Sequence, residues 1–314
     1  MSVSARPGLG PEASLLLGLA VGDALGVPVE FMERGAFLVT GMRGHGTHGQ
    51  PPGTWSDDAS LALCMADSLS RGFDIADMAW NFVAWRREGR FAARGEVFDI
   101  GGATAKAIAR LAAGVPPEES GERDEASNGN GSLMRIAPLV FHSAGRPPEE
   151  RLALAGAASS ITHAHPWSVA ACHVLVEYLA KLLDGKEKVA AYDELRSELG
   201  KADIPGMEKL ARVLKGDVRD VPESGIKSGG FVADTLEAAL WCFLLSKSYE
   251  EAVLRAVNLG DDSDTTAAVA GAMAGLFYGA EGIPREWIDA LAGLDVILRV
   301  AQGLAGRPGF SGAS

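Results

Sequence analysis

The chain has 314 residues, 47% of them hydrophobic, enough to bury a core as one large or two medium domains; length alone does not choose between them. With 29 basic against 41 acidic residues the formal net charge is -12, which excludes sequence-independent binding to nucleic acid or to an anionic membrane. An anionic ligand must find positive potential at its own site, from metal ions, helix N-termini or single arginines.

Residues 1 to 10 are rich in Gly, Pro and Ser and read as a flexible N-terminus. From Pro11 the pattern is helical: Leu15, Leu16, Leu19 and Ala20 share a face, and Gly18, Gly22 and Gly26 recur at every fourth position. Glycine inside a helix costs roughly 1 kcal/mol relative to alanine, so a repeated stripe marks close backbone approach. A second stripe, Gly271, Gly275 and Gly279, offers a partner. That pairing brings Asp23 and Glu30 toward Asp262 and Asp264, although each stripe can equally pack elsewhere.

Residues 32–56 lack periodicity and carry six further glycines and prolines from Gly44 to Gly53, so they read as a long loop, with 37–40 a weak strand candidate. His45 and His48 in this loop have a spacing open to metal binding or to a solvated pair. The loop ends in Ser56-Asp57-Asp58, ahead of a helical face made by Leu61, Ala62, Met65, Ala66 and Leu69. A hydroxyl and two acids at a helix start either cap the helix or hold a cation.

Residues 74–113 read as two helices, the first bearing Trp80, Phe82 and Trp85, the second running from Ala103 to Ala113, with Asp99 in the link. A lone Asp there is ordinarily an N-cap. The acidic segment 114–129 reads as a flexible loop. It leads into Asn128-Gly129-Asn130-Gly131-Ser132-Leu133-Met134-Arg135, where two Asn-Gly pairs permit positive φ. Such a segment makes a tight turn, or it cradles a phosphate on backbone N–H groups with Ser132 and Arg135 as added donors. It is neither a Walker A loop nor a dinucleotide fingerprint.

Helices at 149–160 and 166–184 flank Thr162-His163-Ala164-His165, and 185–230 read as short helices and loops. Helices return at 232–246, 250–258, 265–279 and 285–303, and 304–314 read as a flexible tail. Before the helix at 265, Asp261, Asp262 and Asp264 fall within four residues. Unpaired, they repel one another, and hard divalent ions satisfy carboxylate and hydroxyl oxygens better than Lys or Arg can. Two such acid-bearing helix starts in one chain read as two halves of a metal site. Cys64, Cys172 and Cys242 are isolated among apolar residues and read as core thiols of a reducing compartment. No segment has the order of a secretory signal, no apolar run approaches the ~20 residues of a spanning helix, and the expected location is cytoplasmic.

Taken in order, Gly22-Asp23-Ala24-Leu25-Gly26 with Glu30, Ser56-Asp57-Asp58, Asp99-Ile100-Gly101, Gly129-Asn130-Gly131-Ser132-Leu133-Met134-Arg135, Thr162-His163 and the run from Gly260 to Thr265 resemble the ADP-ribosylglycohydrolase family. The resemblance implies a compact, multi-helix, all-α fold over 11–303 with a dinuclear metal site in a central cleft, holding two divalent ions, Mg2+ or Mn2+. It implies metal ligation by Ser56, Asp57, Asp58, Asp262, Asp264 and Thr265, with Glu30 as a further ligand or a gate. It also implies that the loop from Gly129 to Met134 holds a diphosphate and that Asp99 and His163 face a ribose. The expected substrate-binding residues are thus Asn128, Gly129, Asn130, Gly131, Ser132, Met134 and His163, and the expected catalytic ones Glu30, Asp99 and Asp264. Two departures stand out: Ser56 replaces the family's usual Thr and keeps the hydroxyl, while Asp261 stands where Gly is frequent and sets an extra acid beside the metals.

The implied reaction is hydrolysis at ribose C1″, releasing ADP-ribose from a modified protein, with arginine the first choice of linkage, or from a small-molecule ADP-ribosyl substrate. Neither a nucleic acid nor a membrane partner is expected. A non-catalytic ADP-ribose-binding or structural member is the alternative, and its mark, missing metal acids, is not found in this chain. Hydrolysis of another metal-chelated phosphoester or nucleotide is a third reading, needing the acids but not the ribose-facing residues.

Overall fold

Glycine and proline divide the chain into short apolar-faced segments, and nearly all of them fold as helices. The computed structural model describes residues 9–306. In order the helices are α1 (Pro11–Gly26), α2 (Asp57–Leu69), α3 (Ile75–Glu88), α4 (Gly102–Ala112), α5 (Pro117–Ser120), α6 (Leu139–Ser143), α7 (Pro148–Ser160) and α8 (Pro166–Leu183). There follow α9 (Lys188–Leu199), α10 (Ala211–Leu214), α11 (Val232–Leu245), α12 (Tyr249–Val257), α13 (Ser263–Tyr278), α14 (Arg285–Ala290) and α15 (Leu294–Ala305). Their starts are legible chemistry: proline opens α1, α7 and α8, and Asp74 caps α3 by accepting from Ala76 N at 2.8 Å. Among the described residues there is no strand, only isolated bridges.

The core is built on α1, buried from Glu12 to Gly26 and packed against α13, α15 and α2. Its glycine stripe meets α13 antiparallel at backbone contact. A Cβ on Gly18 would lie 2.3 Å from the Gly271 carbonyl oxygen, one on Gly22 2.1 Å from that of Ala267, and one on Gly26 2.3 Å from the Asp264 Cα. Gly279 is not part of this contact; with φ 75 it ends α13.

Several sequence expectations need correction. Residues 11–29 are apolar and long enough to cross a bilayer, contrary to the expectation that no run was, but from Glu12 onward this stretch is buried inside the protein. The helix expected over 285–303 is two, broken at Gly293, whose φ is 68. The helical chain runs on to Ala305 with Leu304 buried, so 304 and 305 are not tail; of the expected flexible termini, 1–8 and 307–314 lie outside the described residues. Residues 37–40 form no strand. Instead the Asn258 side chain plays the partner, accepting from Val39 N at 2.8 Å and donating to Val39 O at 2.9 Å. The acidic 114–129 segment contains α5 and is pinned to the His163 turn by Glu122 N to Thr162 O, 3.1 Å, and Ala164 N to Glu122 O, 2.8 Å.

Candidate active site

Two helix starts face each other at the end of the α1–α13 contact. At the start of α2, Ser56 is the N-cap, its Oγ accepting from Asp58 N at 3.2 Å. Asp23 of α1 braces the same turn, accepting from Ser56 N at 2.8 Å and from Ala59 N at 2.9 Å. At the start of α13, Ser263 Oγ donates to Gly26 O at 3.1 Å, and Asp264 Oδ1 accepts from Thr265 N at 2.9 Å. The two starts touch where Thr265 Oγ1 donates to Asp58 Oδ2 at 3.3 Å. Acids from the front and the far end of the chain therefore converge, because the glycine stripe lets α1 and α13 approach far enough.

One carboxylate oxygen from each of Glu30, Asp262 and Asp264 lies within 4.8 Å of the others, and Glu30, His48 and Asp99 form a second such group. Asp57, Asp58 and Asp264 are buried, and Asp58 Oδ1, Asp262 Oδ1 and Asp264 Oδ2 have no hydrogen-bond partner. Burial first, then the neighbouring acids, pushes Asp57, Asp58 and Asp264 well above the usual carboxylate range. The same causes take Glu30 up to about 10, and burial takes Asp23 up to about 7. So many carboxylates cannot all ionise together unless cations are among them. Orphaned, oxygen-only donors on two facing helix starts fit hard divalent ions.

This arrangement fixes the sign of a pH dependence. Without divalent ions the folded carboxyls keep protons that the unfolded chain releases, from its ordinary values of 3.8 for Asp and 4.5 for Glu upward. Stability is therefore lost as pH rises, through about 7 for Asp23. Ions bind only deprotonated carboxylates, so their stabilisation grows with pH. Scanning calorimetry should find that the gap in Tm between Mn2+ and EDTA is larger at pH 8 than at pH 5 by about 5 °C or more.

Above the acids lies a cavity of about 550 Å³. Glu30, Asp57, Asp262 and Thr265 reach it from below, the turn from Asp99 to Lys106 makes one wall, and Gly129, Asn130, Gly131, Met134 and His163 line it as well. Ser56, Asp58 and Asp264 stand behind this surface, fully buried. Asp99 adopts φ 50, in the left-handed region that non-glycine residues rarely visit outside constrained sites. Asn130 donates to Asp262 Oδ2 and to Thr235 Oγ1, both at 2.9 Å, tying the loop to the acids. Gly131 admits no side chain, since a Cβ would lie 2.8 Å from Thr104 Oγ1 and 2.9 Å from His163 Cε1. His163 Nδ1 pairs with Thr162 Oγ1 at 2.7 Å; burial, with the Arg135 charge, takes its pKa down to about 3, so the ring is neutral.

Four residues of the 128–135 segment, Asn128, Ser132, Leu133 and Arg135, stand away from the cavity, Leu133 in the apolar core. Asn128 turns inward, accepting from Ser168 Oγ at 3.0 Å, and Ser132 is buried against Ser159 Oγ at 2.9 Å. Arg135 lies buried over the Phe82 ring, 4.8 Å from its centroid, and donates to the Gly131 and Ala158 carbonyls, which leaves it no reach to a phosphate. Asp261 is exposed and absent from the cavity wall; its φ of 54 explains why glycine suits the position. Conversely, His48 joins the site by pairing with Glu30, and Thr104 and Lys106 enter from α4. The one sequence signal for the α4 pair was the Asp99 to Gly102 helix start, which says nothing of which later residues face inward.

A profile of the family described as ADP-ribosylglycohydrolase matches residues 13–312. The ADP-ribosylarginine hydrolase Tri1 of Pseudomonas putida is 37% identical over 95% of this chain and 80% of its own length. The ADP-ribosyl-[dinitrogen reductase] glycohydrolase of Rhodospirillum rubrum is 32% identical over 88% of each. A solved structure titled ADP-ribosylglycohydrolase-related protein complex superposes with a TM-score of 0.80 at 40% identity, covering 94% of this chain and 96% of that one.

Proposed function

The chain belongs to the ADP-ribosylglycohydrolase family and is a glycosidic-bond hydrolase, and from that premise we propose that it releases ADP-ribose from modified arginine, using two divalent ions, Mg2+ or Mn2+. The observation that carries this reading is the meeting of the α2 and α13 starts around three orphaned carboxylate oxygens. Ser56, Asp57, Asp58, Asp262, Asp264 and Thr265 would hold the ions, with Glu30 at their edge. Bound there, such ions supply positive charge for the ribose hydroxyls and acidify water. The arginine linkage rests on relatives named for that substrate.

In the proposed hydrolysis a water oxygen bonds to C1″ as the bond from C1″ to the guanidine nitrogen breaks, through an oxocarbenium-like transition state. The Glu30 and Asp99 carboxyls, grouped with His48, take the proton from the water and return one to the leaving nitrogen. Neutral His163 faces the ribose, and the diphosphate meets Gly129, Gly131 and the first turn of α4, with Lys106 as the one lysine or arginine lining the cavity among the described residues. The three buried, free cysteines accord with the cytoplasmic location we assign to the protein.

Incubation with ADP-ribosyl-arginine, ADP-ribosyl-serine and other ADP-ribose conjugates, with and without Mg2+ or Mn2+, tests the reading. Metal-dependent release from the arginine compound is expected, and no metal-dependent release from any of them defeats it. His163→Ala should raise KM about tenfold while calorimetry finds Mn2+ affinity unchanged, since the ring lines the cavity, is hydrogen-bonded to Thr162 Oγ1 and belongs to neither group of clustered carboxylates.

A further inference from the structure

Phe31 is a large apolar side chain left 66% exposed on the cavity wall. The other large exposed hydrophobics among the described residues, Leu38, Trp80, Val189 and Leu245, do not line this cavity. Its backbone has φ 64, a left-handed conformation unfavourable for a bulky residue, and it is held there from outside. Phe31 N donates to Asp261 O at 2.7 Å and Asp261 N to Met32 O at 2.9 Å, so the turn is clamped to the loop that begins α13. Strain maintained by a clamp, with no burial to recompense it, calls for a use of the ring in the cavity.

Its position says which part of a substrate it meets. Phe31 follows Glu30 directly and is tied to the residue before Asp262, so the ring stands beside the carboxylates. Behind it the His48 ring lies 6.1 Å away, tilted, and Phe98 lies 5.3 Å beyond His48, which backs the platform from Glu30 to Asp99. If the scissile bond sits over the carboxylates, the group neighbouring them on the far side of the ribose is the acceptor. A planar guanidinium, flat and positive, is the side-chain end best matched to the face of an aromatic ring.

Resting on the arginine reading above, we infer that Phe31 is a specificity residue whose ring stacks on the acceptor guanidinium. It orients the leaving nitrogen toward the Glu30 and Asp99 carboxyls, and it selects against acceptors without a flat cation.

The test uses the full chain with Mn2+, free ADP-ribosyl-arginine as substrate and ADP-ribose as a ligand lacking the acceptor. Phe31→Leu should lower kcat/KM about tenfold and leave ADP-ribose affinity within twofold, while Phe31→Tyr, which keeps the ring, restores turnover. Wild-type turnover in Phe31→Leu overturns the inference alone. A parallel loss of ADP-ribose affinity also overturns it, assigning the ring to the nucleotide, and so does a loss seen with a modified protein but not with the small compound. Absence of release by the wild type removes the arginine reading and this inference together.

Discussion

Asp264→Asn is expected to lower kcat/KM by at least about a thousandfold, about 4 kcal/mol of transition-state stabilisation, and to reduce Mn2+ binding below detection by calorimetry. The substitution keeps the size of the side chain and the oxygen that accepts from Thr265 N at 2.9 Å, so the first turn of α13 survives. It changes the second oxygen, which is buried and has no partner, into an N–H donor aimed where a cation would sit. Undiminished Mn2+ affinity in that variant removes Asp264 from the ligand set. Asp261→Asn is the matched control three positions earlier. Its side chain is exposed and lies near Ser228 Oγ at 3.4 Å, so turnover should stay within about twofold.

The contrast between Asp261 and Asp264 shows what the sequence could convey. Three acids within four residues announce a cation site, but which of them points inward depends on backbone conformation, and φ 54 at Asp261 turns that residue out. The 128–135 segment behaves likewise. The glycines mark a loop near a ligand, yet Asn128, Ser132 and Arg135 turn into the core because Ser168, Ser159 and the Phe82 ring await them there, and those partners come from distant segments. Helices α1, α2, α8 and α13 were legible to within about two residues, since an apolar face bounded by proline, serine or glycine is local information. The division of 285–303 was not, because Gly293 interrupts a pattern that stays periodic across it. His48 was readable only as an undecided loop histidine, and its pairing with Glu30 needs the fold.

The stripe at the α1–α13 contact was the most informative long-range signal, and it supports the second large effect. Gly22→Val is expected to destabilise the protein by about 3 kcal/mol, a fall in Tm of about 6 to 12 °C, and to weaken Mn2+ binding in whatever fraction folds. The Cβ would meet the Ala267 carbonyl oxygen at 2.1 Å, and that oxygen belongs to helix backbone, which cannot rotate aside as a side chain can. Relief requires α1 to move away from α13. Such a shift also parts Gly26 from Ser263, now joined at 3.1 Å, and Asp58 from Thr265, now joined at 3.3 Å. Gly156→Ala in α7 supplies the opposite case: the nearest atom to its Cβ is a Val169 methyl at 3.5 Å, an ordinary contact, so the variant should gain up to about 1 kcal/mol from helix propensity. If Gly22→Val melts and binds Mn2+ like the wild type, backbone proximity is not what assembles the acids, and the link from glycine stripe to site is broken.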